Sequence, residues 1–363
     1  MFFKGTKLCL CMIVKNESRV ITRLLDSLVR QGKPIVDFVS ILDTGSTDDT
    51  ESLIYQWAKK HSIPAKVHHS PFTNFGESRT KSFQLAKSSF QSDYVLLLDA
   101  DFVLEFGEPV QLTAPCYMVK QYNQALEYWN IRLINTSLDW KCIGVTHEYW
   151  DSGDRQVERT NAITIRDLED GGCKSDKYTR DTKLLLSEIK NKKLPPQLLA
   201  RYYFYLAQTY RDRKMYAESI RYYKDRIKMG GYVEEVFYSI YQIGYCYQML
   251  GQDANAIVSY LDAWQYRPSR IEPLVYIASY YRYNGKYQLG LLFALKALEI
   301  PPSTDCLFVD KRCWDYLLAF ELSYLAFYGG LKELGKQSCD KVLASRAPDA
   351  LKKCVADNVK FYI

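Results

Sequence analysis

Tyr94-Val95-Leu96-Leu97-Leu98-Asp99-Ala100-Asp101 sets five apolar or aromatic residues directly ahead of two carboxylates separated by one small residue. The run predicts a strand buried on both faces. Asp is rarely fully buried unless it is paired or on a metal, which places Asp99 and Asp101 at the strand's open carboxyl end. In open α/β sheets that rim is where ligands bind. The pair suits a hard, oxygen-preferring divalent ion, Mg2+ or Mn2+, bridging carboxylate and a substrate diphosphate. A solvated turn accounts for an isolated D-x-D equally well, so the flanking sequence decides.

Working outward, strand and helix alternate. Residues 8–14 form an apolar strand, and residues 18–30 carry Val20, Leu24, Leu25 and Leu28 at helical spacing. A second strand over 36–42 ends in Asp43-Thr44-Gly45-Ser46-Thr47-Asp48-Asp49-Thr50, followed by a helix marked by Leu53, Ile54, Trp57 and Ala58. Ser46 or Thr47 is expected to cap that helix, with Asp48 and Asp49 near its positive end. A turn and a cap explain Gly45 and Ser46 but not Asp43, which ends its strand as Asp99 does. A third unit runs from 65–68 to a helix over 77–89 and then to the 94–98 strand, and 115–119 and 127–134 read as further strands. The pattern predicts an α/β fold, a Rossmann-like, mostly parallel sheet with helices on both faces.

The length of 363 residues predicts two domains, placed at 1–172 and 173–363. A net charge of +6 favours an anionic ligand such as a nucleotide diphosphate no more than it reflects ordinary surface Lys, and no K/R-rich block points to nucleic acid. Ten Cys without a C-x-x-C pair argue for a reducing compartment and against a disulfide framework or a Cys-based zinc site. Cys9 and Cys11 share one strand face as small hydrophobes. Lys4 and Lys7 precede a short apolar run that superficially resembles a signal peptide, but no A-x-A-like site follows. No run reaches the ~18–20 apolar residues of a membrane span. A cytoplasmic protein is expected.

From about residue 177 the pattern is helical and rich in Tyr. Gly244, Tyr247, Gly251, Ala256, Tyr260, Ala263 and Pro268 recur as Ala278, Tyr281, Gly285, Gly290, Ala294, Ala297 and Pro302, a shift of 34, the tetratricopeptide period. A less regular copy begins at Ala207 with Tyr210, Ser219 and Tyr223, and a divergent one covers 322–343. Stacked helix pairs would form an all-α solenoid in which small residues admit close contact and aromatics fill the partner groove. Repeat packing accounts for most of the Tyr, although exposed Tyr also suits sugar or peptide.

Four segments in order, Cys11-Met12-Ile13-Val14-Lys15-Asn16-Glu17, Asp43-Thr44-Gly45-Ser46-Thr47-Asp48, Phe75-Gly76-Glu77-Ser78-Arg79 and Leu98-Asp99-Ala100-Asp101, resemble the family 2 glycosyltransferases of GT-A fold. The resemblance is greatest to the subgroup whose catalytic domain precedes tetratricopeptide-like helices. That subgroup often has Arg-Asn where this chain has Arg79-Thr80. Nucleotidyltransferases share the broad fold, but their Gly-rich N-terminal phosphate loop is missing.

The resemblance implies a nucleotide-sugar donor, with UDP-sugar expected. Asp43 would accept a hydrogen bond from the uracil ring, and Val14, Asn16 and Glu17 would line the base pocket. Arg79 would approach the nucleotide or its phosphates, and Asp99 and Ala100 the donor. Downstream of Arg132-Leu133, Gly144-Val145-Thr146-His147-Glu148 resembles the subgroup's V-H-E segment. His147 would then join Asp99 and Asp101 on Mn2+ (or Mg2+), which act as Lewis acid and template. Glu148 would be the general base of an inverting transfer, with Asp170 of Asp170-Gly171-Gly172 the competing base. The expected function is metal-dependent glycosyl transfer to a protein, peptide or glycan acceptor docked on the helices, with homo-oligomerisation left open. The alternative is a non-catalytic tetratricopeptide scaffold with a degenerate nucleotide-sugar domain, which would need none of Asp43, Arg79, Asp99, Asp101 and His147 as a set.

Overall fold

A computed structural model describes residues 2–123, 127–153, 156–171, 177–191 and 193–362. They form two compact units that divide along the chain between Leu194 and Pro195, except that Glu127, at the start of a first-unit strand, groups with the second. The boundary expected at 172/173 falls outside the described residues, and the helix Lys177–Ile189 groups with the first unit.

The first unit runs β1 (Leu8–Val14), α1 (Ile21–Ser27), β2 (Val29–Arg30), β3 (Lys33–Pro34), β4 (Phe38–Asp43), α2 (Thr50–Lys60), β5 (Ala65–His69), α3 (Phe75–Ser89) and β6 (Tyr94–Leu97). It continues through β7 (Phe102–Phe106), β8 (Cys116–Tyr122), β9 (Glu127–Asn135), β10 (Lys141–Ile143), β11 (Tyr149–Asp151), β12 (Val157–Asp167) and α4 (Lys177–Ile189). Eight strands make one sheet in the order β5-β4-β1-β6-β9-β8-β12-β7. β5, β4, β1 and β6 are mutually parallel, whereas β9 runs antiparallel to β6 and β7 antiparallel to β12.

The alternation of β1 builds both layers. Leu8, Leu10, Met12 and Val14 face Ile21, Leu24, Leu25, Ile54 and Trp57 of α1 and α2. Cys9 and Cys11 point the other way, against Phe83 and Ala86 of α3. Both thiols therefore serve as core hydrophobes, as expected, and burial pushes Cys11 up to about 11. No disulfide joins the described cysteines. The helix predicted over 18–30 is shorter, because residues 29–34 form a β2–β3 hairpin whose two loop residues, Gln31 and Gly32, both take positive φ.

The chain moves outward from β1 to β4 and β5, then returns to pair on the other side of β1 as β6. A topological switch point therefore lies between β1 and β6, and the crevice outside their carboxyl ends is the ligand position of such sheets. The strands that open it are those that lead into Asn16-Glu17 and Asp99-Ala100-Asp101.

The second unit contains α5 (Pro196–Asp212), α6 (Tyr216–Lys228), α7 (Val233–Met249), α8 (Asp253–Tyr266), α9 (Glu272–Tyr283) and α10 (Tyr287–Leu298). A π-helical turn over Cys313–Leu317 then leads into α11 (Leu318–Tyr328), α12 (Lys332–Ala344) and α13 (Asp349–Val359). The first eight α-helices pack as successive hairpins, and the turns within pairs pass through positive φ at Lys214, Gly251, Gly285 and Gly330. Gly251 and Gly285 keep the period of 34; the next turn glycine falls at 330 where that period predicts 319. A Cβ at Gly244 would lie 2.6 Å from the Tyr260 ring, so the small-against-aromatic packing expected of the repeat is realised there. No described helix is long and apolar enough to cross a membrane.

Candidate functional site

Loops from four strands meet at the switch point. After β1, Asn16 takes a left-handed φ of 56° and is laced to the β4–α2 loop. Its N–H donates to Ser46 Oγ at 3.0 Å, and its Oδ1 accepts from Thr47 N–H at 2.7 Å. Glu17 N–H donates to Thr50 Oγ1 at 2.8 Å and Ser18 N–H to Asp48 Oδ2 at 3.1 Å. The cap expected at Ser46 or Thr47 is thereby corrected: α2 starts at Thr50, and Ser46 and Thr47 hold the neighbouring loop instead. Asp43 is buried at the end of β4, and its Oδ1 accepts from the Gly45 and Ser46 N–H groups at 2.8 and 2.7 Å. An Asx-type turn thus occupies one oxygen of the carboxylate that turn chemistry had not explained.

The third wall is α3. Asn74 Oδ1 caps it by accepting from Glu77 N–H at 2.9 Å, and Phe75 N–H and Gly76 N–H donate to Val145 O and Gly144 O. Three N-terminal donors are satisfied, so this helix end is closed. A Cβ on Gly76 would fall 2.3 Å from Gly144 O and 2.7 Å from Cys142 O, which requires glycine at this close approach. Thr80, in the position where the subgroup often has Asn, accepts from Cys142 N–H at 2.8 Å through Oγ1. The residues around Arg79 therefore fasten α3 to the segment that carries Glu148.

Arg79 itself bridges two carboxylates. Its Nε donates to Glu148 Oε1 and an Nη to Asp99 Oδ1, both at 2.5 Å, with the Arg and Glu side chains only 14% exposed. Burial would lower the Arg79 pKa, but Asp99 and Glu148 outweigh it and hold the guanidinium charged. The other oxygen of Asp99 accepts from Arg132 at 3.4 Å. Arg132 is buried, donates also to Gln121 Oε1 at 2.9 Å and lies over the Phe102 ring. Burial would raise the Asp99 carboxyl, but Arg79 and Arg132 hold it below the usual range.

Asp99, Asp101 and His147 do not assemble as one donor set. Both Asp99 oxygens are bonded to guanidinium groups, and His147 Nε2 lies 3.9 Å from Asp181 Oδ2 on α4. Among the described residues no three His, Cys, Asp or Glu side chains gather in a metal-holding group. Asp101 stands apart from this arginine clamp. Its Oδ2 accepts from Gly171 N–H at 3.3 Å, and a Cβ placed on Gly171 would lie 3.2 Å from that oxygen and 3.4 Å from Glu17 Oε2. Two carboxylates thus flank one small residue at the crevice. This donor chemistry fits a hard cation that takes one or two protein carboxylates and completes its shell with phosphate oxygens and water.

Asp170, the competing base, has both oxygens on the Arg23 guanidinium of α1, at 2.8 and 2.6 Å. Glu148 has Oε1 on Arg79. Of the two, Glu148 is the one joined to Asp99 through a shared cation. Ala100 is buried between the two Asp.

Sequence reasoning missed Asp167, Gln121 and the role of Arg132. Asp167 ends β12 and pairs in register with Phe102, which sets it beside the Asp99–Asp101 turn. Burial, followed by the charge of Asp101, pushes its carboxyl up to about 6. The signal was present: Ala162-Ile163-Thr164-Ile165-Arg166-Asp167 is an alternating strand that ends in Asp, like β4.

Residues 9–109, which hold all four segments, match the family profile "Glycosyl transferase family 2". Among solved structures, the chain resembles S. aureus TarS at 16% identity and a TM-score of 0.37, over 69% of this chain and 54% of that one. S. aureus TarS 1–349 gives 13% identity and 0.37, over 71% and 91%. The C-terminal part of a TPR repeat-containing protein from Cytophaga hutchinsonii gives 18% and 0.38, over 51% and 73%. All three scores lie below 0.5, and this chain spans about half the length of the longer TarS structure.

Proposed function

We propose that the chain, whose residues 9–109 carry the family 2 glycosyltransferase profile, transfers a sugar from a nucleotide-sugar, a UDP-sugar in the first instance, to a protein, peptide or glycan acceptor. The observation that carries this reading is the convergence at the β1/β6 switch point of the laced Asn16–Ser46 loops with Asp101 and Glu17. In this reading Asp43, with Oδ1 held by its own turn, offers its second oxygen to the base N–H. The backbone at Val14 to Asn16 walls the base pocket.

Asp101, with Glu17 beside it, would hold Mn2+ or Mg2+ against the donor diphosphate. A divalent ion there supplies neutralisation of the charge that grows on the leaving diphosphate. Asp99 acts through its neighbours: anchored by Arg79 and Arg132, it fixes the turn that presents Asp101. Arg79 orients Glu148 in the same way, and Glu148, with one oxygen held, would take the acceptor proton through the other in an inverting transfer. In this reading Arg79 is a positioning residue, where the resemblance implied an approach to the nucleotide or its phosphates.

UDP release from a panel of UDP-sugars, followed with wild type and Asp101→Asn in the presence of Mn2+, tests the proposal. Loss of at least a hundredfold in turnover with Asp101→Asn is expected. Equal turnover in the two proteins would remove Asp101 from the chemistry.

A further inference from the structure

The insertion that displaces the last turn glycine from 319 to 330 lies between α10 and the π-helical turn, at residues 299–312. Elsewhere in the second unit the links between hairpins are short, residues 229–232 and 267–271. This long segment does not loop into solvent. It crosses the first helices of three successive hairpins and makes side-chain-specific contacts with each.

The Asp305 side chain is 3% exposed, and both its oxygens are taken by guanidinium groups: Arg267 Nε donates to Oδ2 at 2.9 Å and another Arg267 nitrogen to Oδ1, while Arg270 donates to Oδ2 at 3.2 Å. Glu234 of α7 captures two consecutive backbone donors, Cys306 N–H at 2.8 Å and Leu307 N–H at 2.6 Å, on one carboxylate oxygen. Arg270, itself 1% exposed, donates on to Leu307 O and Phe308 O. The Phe308 ring lies 5.0 Å from Tyr238 of α7 and is stacked 6.3 Å from Phe204 of α5. Glu272 of α9 accepts from Asp310 N–H at 3.2 Å. Phe308 holds φ = 46°, a backbone state a bulky side chain adopts only when its surroundings impose it.

Repeat packing requires none of this. A buried Arg pair that reads a carboxylate, a carboxylate that reads successive N–H groups, and an aromatic slot are the parts of a peptide receptor. We infer that the first-helix face of the second unit is a peptide-binding site that the chain fills in cis with residues 303–310. Its ligand class is an irregular peptide with a carboxylate three residues ahead of an aromatic ring. The segment is attached at both ends, so its effective concentration excludes a free peptide of equal intrinsic affinity. The site is closed to outside peptides while the segment is seated, and this holds whether or not the first unit transfers sugar.

The test uses the full chain carrying Asp305→Ala with Phe308→Ala, and a fluorescent peptide of the 303–310 sequence with Cys306→Ser. Fluorescence anisotropy should report saturable binding to the released chain and at least tenfold weaker binding to wild type. A peptide with Asp305→Asn and Phe308→Ala should lose the binding. Peptide affinity no greater for the released chain than for wild type would overturn the inference. Hydrogen exchange on wild type gives a second measurement that does not depend on the variant folding. The Cys306 and Leu307 amides should exchange at least a hundredfold more slowly than Thr304, and free exchange at both would rule out cis occupancy.

Discussion

Replacing Arg79 by Met keeps the length and stem packing of the side chain but removes the cation shared by Asp99 and Glu148. Breaking a buried ion pair from one side costs about 3–5 kcal/mol, because a desolvated charge is left behind. Asp99 is 27% exposed and keeps Arg132 at 3.4 Å, which sets the loss near the lower bound, at ~3 kcal/mol. A domain of about 150–250 residues shifts its Tm by ~2–4 °C per kcal/mol, so the first unit should melt about 6–12 °C lower at pH 7. The sign of the pH dependence follows from Asp99, whose folded carboxyl is held below its unfolded value by the two arginines. Its contribution is present above the unfolded carboxyl pKa and is lost as pH falls through the folded one. Removing Arg79 raises that folded value, so the gap between wild type and variant should narrow below about pH 5 as the variant's carboxyl protonates first. Arg79→Lys should recover little of the loss, since one ammonium cannot reproduce a planar fork across two carboxylates. Scanning calorimetry at pH 7 and pH 4 measures both effects. A Tm within 2 °C of wild type at pH 7, or a deficit undiminished at pH 4, would refute the clamp.

Two further substitutions probe the same walls. Gly76→Ala gains helix propensity of about 0.5–1 kcal/mol but drives a Cβ to 2.3 Å from a backbone oxygen, so a net loss of about 1–3 kcal/mol is expected in urea unfolding; a stabilised variant would contradict the close approach of α3 to the 142–144 segment. Asp167→Asn should act in the opposite direction. With the Asp167 carboxyl raised to about 6 from an unfolded value near 3.9, the native state holds a proton that the unfolded state has lost, so wild-type stability falls as pH rises from about 4 to 6. The Asn variant lacks that slope and should be more stable than wild type at pH 7 by on the order of 1–3 kcal/mol, with no gain at pH 4; a loss at pH 7 would show that the Asp167 carboxylate is stabilising.

The parallel half of the sheet was legible because β1, β4 and β6 are buried runs and α2 and α3 repeat at helical spacing, both of which are local patterns. Asp43, Asp99 and Asp101 could be placed at strand ends for the same reason. Their partners could not. Arg132 reaches Asp99 only because β9 returns antiparallel beside β6, and Arg79 only because α3 packs across the sheet, both of them placements between residues far apart in sequence. His147 was read as a third ligand because its segment resembles the subgroup's V-H-E, yet its ring lies near Asp181, a contact set by where α4 packs. Asp170 read as a base because a Gly follows it, but α1 brings Arg23 to both its oxygens. In the second unit the period located the hairpins, and the departure from it at Gly330 was the one mark of the seated segment.

The proposed transfer stands on the β1/β6 crevice binding a nucleotide diphosphate through Asp101. Isothermal titration of the full chain with UDP, with and without Mn2+, on wild type and Asp101→Asn tests it most directly, supported by melting shifts, since a ligand at 100 times its Kd stabilises the native state by ~2.7 kcal/mol. Mn2+-dependent UDP binding to wild type and at least tenfold weaker binding to Asp101→Asn are expected. Absence of binding by UDP and by every other nucleoside diphosphate under either metal would contradict it and return the first unit to the reading of a degenerate domain on a scaffold.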